Sequence, residues 1–124
     1  MADLSSTIDN IVVGDDCEVI RQIENVPLGT TLIEAWLTVK EDYWQNTVII
    51  GKHITTTGDI NGQIEDSGGD TIGILRFRLS KDETILLHPH FEYDFDVQVK
   101  TSDGSIYTPE SGKFTPYHSV TSEV

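Results

Sequence analysis

The segment Phe91-Glu92-Tyr93-Asp94-Phe95-Asp96-Val97-Gln98-Val99-Lys100 decides the fold. Its apolar residues Phe91, Tyr93, Phe95, Val97 and Val99 alternate without a break with polar ones. Successive side chains on a strand point to opposite faces, so one face of this segment is apolar and the other wet. That is the pattern of a half-buried antiparallel strand. Asp103-Gly104 follows as a turn signal, and Ile106-Tyr107-Thr108 returns as the partner strand.

Working outward, Thr31 to Glu41 has the same period. Ile33, Ala35, Leu37 and Val39 alternate with Glu34, Trp36, Thr38 and Lys40. The expected packing seals the aromatics of 91–99 in one sheet against Ile33 through Val39 in another. Ile11 to Val13, Cys17 to Ile23, Thr47 to Thr57 (with a bulge at Gly51), Gln63 to Glu65, Thr71 to Ser80 and Lys113 to Thr115 read as further strands. Ser111 and Gly112 fall in a turn that starts at Thr108-Pro109. Ser80 with Glu83 three residues on forms a capping box for one helical turn. Arg76 and Arg78 share a wet face and are expected to pair with Asp94 or Asp96.

These signals predict an all-β, immunoglobulin-like antiparallel sandwich of seven or eight strands with flexible termini. Residues 1–10 read as an N-terminal arm, 11–116 as the sandwich domain and 117–124 as a C-terminal tail. Composition agrees. The 124 residues include 14 Ile, 10 Val and 14 Thr but only 2 Ala, a bias toward pleated sheet over helix.

The net charge of −13 repels phosphate backbones and anionic lipid, so neither nucleic acid nor membrane is an expected partner. No apolar run is long enough to span a bilayer, and no leader peptide is evident. Cys17 is the only cysteine, which excludes an internal disulfide and a zinc site built on paired cysteines. It reads as a small buried thiol.

Chemical motifs are sparse. His88 and His90 would share a strand face, which suits a metal clamp, with His53 or His118 as a third ligand. Surface histidines flanking Pro89 are the plainer account. Asp59 to Glu65 echoes a calcium loop, but its glycine stands at the fourth place instead of the sixth. Glu65, Asp66 and Asp70 beside Gly68-Gly69 read as a solvated loop. Asp94 and Asp96 share a face, as a catalytic carboxylate pair would, yet solvent-facing residues in an alternating strand are the plainer account. No phosphate cradle and no Gly-x-Ser-x-Gly elbow is present. No enzyme activity and no cofactor are expected.

The residues that stand out are aromatic. Trp36 falls on the polar side of its strand, either under a loop or exposed as an interface anchor. Tyr43 and Trp44 sit side by side in the loop Glu41 to Asn46, where they either cap the sandwich or contact a partner.

Leu32-Ile33-Glu34-Ala35-Trp36-Leu37-Thr38-Val39-Lys40 resembles the "apolar-x-aromatic-x-apolar-Lys" strand of a group of small phage proteins. Tyr93-Asp94-Phe95-Asp96-Val97-Gln98-Val99 is similar to that group's "Tyr-Asp-apolar-x-apolar" strand. Asp103 to Thr108 with Ser111 to Phe114 resembles its closing hairpin, and Val120-Thr121 its end. The group is the immunoglobulin-like domain at the N-terminus of phage baseplate upper proteins, also found as stand-alone tail-region or capsid-associated proteins. The likeness spans roughly residues 11–121.

It implies a non-catalytic virion structural protein, made in the host cytoplasm. Such a protein binds other virion proteins of the capsid, tail or baseplate and forms a homo-oligomer. Trp36, Tyr43 and Trp44 are the expected contact residues. The alternative from another class is a carbohydrate-binding module presenting the same three aromatics. A metal-dependent enzyme using His88 and His90 is the third.

Overall fold

The computed structural model describes residues 3–118. Eight strands and one helical turn succeed one another: β1 (Asp3–Ser6), β2 (Cys17–Ile23), β3 (Leu32–Lys40), β4 (Ile50–Thr55), β5 (Gly62–Ser67), β6 (Gly73–Leu79), α1 (Lys81–Thr84), β7 (Tyr93–Thr101) and β8 (Ile106–Phe114). They form a five-stranded sheet, β1-β8-β7-β3-β4, packed on a three-stranded sheet, β2-β6-β5. All pairings between these strands are antiparallel except β1 with β8. The order β2-β6-β5 is B-E-D of an immunoglobulin fold, and β8-β7-β3-β4 is G-F-C-C′. The all-β sandwich expected from the period of the strands is therefore the fold.

A second immunoglobulin feature lies at the entrance to β7. Tyr93 is buried, and its hydroxyl accepts a hydrogen bond of 2.7 Å from the His88 backbone N–H. This is the tyrosine corner, which ties the start of the F strand to the chain just before it. Two residues on, where antibody domains place a cysteine, stands Phe95. It packs edge-on to Phe114 at 6.0 Å and makes the core with Leu37, Phe77 and Leu79.

Several expectations are corrected. β3 and β7 are neighbours in one sheet, with Ala35 opposite Val99 and Leu37 opposite Val97. Both therefore seal against β2-β6-β5, not against each other. Alternation fixes which side chains are buried but is silent on which strands pair. A bulge between Leu32 and Glu34 turns Ile33 outward and Leu32 inward. Phe91 precedes β7 and is 42% exposed, lying against Tyr93 at a ring distance of 4.7 Å.

The turn expected at residues 108–112 is instead part of β8, which runs on to Phe114. The register shifts opposite Val97–Val99, and that irregularity accommodates Pro109, which has no N–H to donate. β4 pairs regularly with β3 through Gly51, with no bulge there. Residues 11–13 form only an isolated bridge, Val12 to Tyr117. Arg76 and Arg78 pair with Glu18 and Glu65 because they lie on the other sheet from Asp94 and Asp96.

The described part of the arm expected over 1–10 is built into the sandwich: β1 lies beside β8, and Ile8 is buried in the core. Gly112 makes that approach possible, since a Cβ there would stand 1.8 Å from the Ser6 carbonyl oxygen. Tyr117 returns a backbone bond to Ile11, and Val13 bonds to Tyr117. The rest of the expected C-terminal tail, beyond residue 118, lies outside the described residues.

An inward-facing ion pair closes each open flank. On the β1–β8 side, Arg21 of β2 meets Glu110 of β8, with an Nε to Oε1 distance of 2.9 Å. On the β4 side, buried Lys52 meets Glu83 of α1 at 2.6 Å. Glu83 also completes the expected capping box with Ser80. Inward-pointing charges on edge strands oppose edge-to-edge pairing with other chains.

Candidate functional site

The loop between β3 and β4 is short, polar and held at three points. Asp42 begins a turn closed by Gln45 N–H to Asp42 O at 3.0 Å. The Asp42 carboxylate accepts the Trp44 N–H at 3.0 Å, an Asx-type bond. The Tyr43 N–H reaches across to Asp94 Oδ2 on β7 at 2.6 Å. Asp94 is fixed in turn by Lys113 of β8, whose ammonium donates to Oδ1 at 2.6 Å. That bond raises the pKa of Lys113, and nearby Asp94, Glu92 and Asp42 add to it. The main chain of the loop is thus tied to the sheet.

Its side chains are not. Trp44 is 85% exposed and Tyr43 62%. Their rings meet edge to face, with centroids 5.4 Å apart and planes at 87°. The expectation that they cap the core is not met: both rings stand in solvent. Two clefts flank Tyr43. One of about 530 Å³ lies between Trp44 and β8, lined by Asp42, Ser111 and Lys113. The other, about 390 Å³, lies over the outer face of β3 and β7. Thr38, Lys40, Val48, Asp96 and Gln98 line it with Tyr43.

Asp96 and Asp94 share the outer face, as their spacing predicts, but their environments differ. Asp94 has two hydrogen bonds. Asp96 is half-buried and, among the described residues, its carboxylate accepts none. Burial pushes its pKa up, and Lys40 only partly opposes this. The period of the strand placed both residues outward; nothing in it distinguished them, since the difference comes from Lys113 and Tyr43, far away in sequence.

Trp36 is also on the outer face of β3, opposite His53 on β4 and Gln98 on β7. It is half-buried and stacks on the His53 ring at 5.3 Å and 25°. His53 is held by Glu34 at 2.9 Å. Neither a covering loop nor a fully exposed anchor describes it. The three aromatics do not form one flat platform of the kind a sugar ring stacks on, because Tyr43 and Trp44 are perpendicular.

His88 and His90 are exposed in the connection before β7, where the His88 N–H is engaged by Tyr93. Among the described residues, no group of three or more His, Cys, Asp or Glu could hold a metal ion. The carboxylates of residues 59–70 serve their own turns and neighbours: Asp59 accepts from Asn61 N–H, Asp66 from Gly68 N–H, and Glu65 pairs with Arg76.

A cavity of about 620 Å³ opens on the flank closed by Lys52. Among its charged walls Lys52 pairs with Glu83 and Arg78 with Glu18, while Asp16 accepts the Lys81 backbone N–H. Cys17 lines it, half-buried. Burial, and then the negative charges of Asp15, Asp16, Glu18 and Glu83, raise its pKa to about 11. A thiol so protonated at neutral pH is a poor nucleophile.

No protein-family model matches the chain, and no curated protein matches it in sequence.

Proposed function

We propose that this chain is a non-catalytic structural protein of a phage virion, assembling as an oligomer on the particle through protein–protein contacts. Baseplate or tail-fibre attachment and capsid decoration both fit. The reading rests on the resemblance of β3, β7 and β8 to the immunoglobulin-like phage domains. One observation carries the contact role: a Tyr-Trp pair held out into solvent, 62% and 85% exposed, on a loop whose backbone is fixed to the sheet. Large aromatics are enriched at the energetic centres of interfaces. A rigid loop loses little conformational entropy when it docks.

The test is to purify particles of the phage whose genome carries this chain, with and without its gene. The protein is expected in stoichiometric amount on intact particles, and its loss should remove defined density from the head or the tail in electron micrographs. Particles that never contain the protein would overturn the proposal.

A further inference from the structure

We propose that the cleft between Tyr43 and Asp96 receives an arginine side chain from a basic segment of the partner protein. This rests on the reading of the Tyr43–Trp44 loop as a contact surface and names the chemistry that the surface recognises. Asp96 lies on the outer face of β7, within a cleft of about 390 Å³ that also exposes Tyr43, Thr38 and Gln98. It is half-buried, and no hydrogen bond reaches its carboxylate among the described residues. Its oxygens still reach the solvent of the cleft, so they are free to accept from a partner's side chain. Its neighbour Asp94 is already taken by Lys113 and the Tyr43 N–H.

The open carboxylate beside an aromatic ring fits a guanidinium better than an ammonium. A guanidinium presents a planar fork to a carboxylate, and its flat face stacks on an aromatic ring. Tyr43 supplies such a ring on the cleft wall, where a cation–π contact adds to the ion pair. Thr38 and Gln98 offer side-chain oxygens for the remaining N–H groups.

Charge sets the kind of partner. The chain as a whole carries −13, so a basic segment of a different protein approaches it more readily than a second copy does. Lys40 lines the same cleft and weakens the field of Asp96 without bonding to it.

The experiment is an amide NMR titration with the blocked peptide Gly-Gly-Arg-Gly-Gly, and with the same peptide bearing citrulline, the uncharged isostere of arginine. The arginine peptide is expected to shift the amides of Thr38, Tyr43, Asp96 and Gln98. The citrulline peptide should bind at least fivefold more weakly, and so should the arginine peptide on Asp96→Asn. The spectrum of the variant itself reports that it is folded. Shifts scattered over the surface, equal shifts with citrulline, or unchanged binding by Asp96→Asn would each overturn the inference.

The two readings fail separately. Loss of particle binding by Trp44→Ala together with no arginine binding keeps the contact loop and removes the arginine cleft. Arginine binding at Asp96 together with full particle binding by Trp44→Ala supports the cleft and removes the role of the loop.

Discussion

The Tyr93 hydroxyl lies 2.7 Å from the His88 amide nitrogen and closes the corner through which the chain enters β7. Tyr93 is fully buried, and its ring stacks with Phe114 at 5.8 Å. Removing the oxygen leaves the ring in place and strips one partly buried N–H of its acceptor. Tyr93→Phe is expected to lose about 1–2 kcal/mol of stability, the usual cost of leaving such a group unsatisfied. Urea unfolding should show a lower midpoint with an unchanged slope, since the surface exposed on unfolding does not change.

The docking of β1 rests on the absence of a side chain at Gly112. Alanine there would place its Cβ 1.8 Å from the Ser6 carbonyl. Gly112→Ala is therefore expected to expel β1 from the edge of β8 while the remaining strands stay paired. Hydrogen exchange checks this: protection should vanish at residues 3–8 and persist in β3 and β7.

Asp96 gives a prediction with a definite sign. Burial raises its folded pKa above the unfolded value, so the native state holds the proton more tightly. The ionised group therefore costs stability above its folded pKa, and that cost disappears as pH falls below the unfolded value, about 3.9. Asp96→Asn should raise the melting temperature at pH 7, with the gain shrinking toward pH 3.5. Relief of the net charge of −13 contributes to any such gain. Glu24→Gln, at an exposed position, measures that generic part. The excess of Asp96→Asn over Glu24→Gln is the quantity predicted to be positive.

Cys17, with its pKa raised to about 11, should react slowly with iodoacetamide in the native state at pH 8. The rate should climb tenfold per pH unit up to that value, because only the thiolate attacks. A rate that levels off near pH 8.5, as for a free thiol, would show that the thiol is not held in this environment.

The burial pattern of the sandwich was written plainly in the chain, while the partners of its strands were not. The alternation from Tyr93 to Val99 and from Ala35 to Val39 identifies buried faces correctly, because period two is a local property. That these strands are neighbours depends on register across sixty residues, which no local pattern encodes. Pro109 misled for a similar reason: it breaks a regular ladder, but a bulge opposite Val97–Val99 absorbs it. The capping box of Ser80 and Glu83, by contrast, is a four-residue signal and forms as written.

The proposed contact site was half legible. Tyr43 and Trp44 were visible as adjacent large aromatics in a loop, but only the bond from Tyr43 N–H to Asp94 shows how the sheet holds them outward. Asp94 and Asp96 looked equivalent because both face outward. Lys113 bonds to one and not the other, and this separates them.

The most direct test of the central claim is add-back of purified protein to particles lacking it, followed by co-sedimentation, for the wild type and Trp44→Ala. At 85% exposure Trp44 contributes little to folding, so the variant should melt within about 1 °C of the wild type. Its affinity for particles should fall by about 2 kcal/mol or more, roughly thirtyfold. Equal binding of the two proteins would contradict the account.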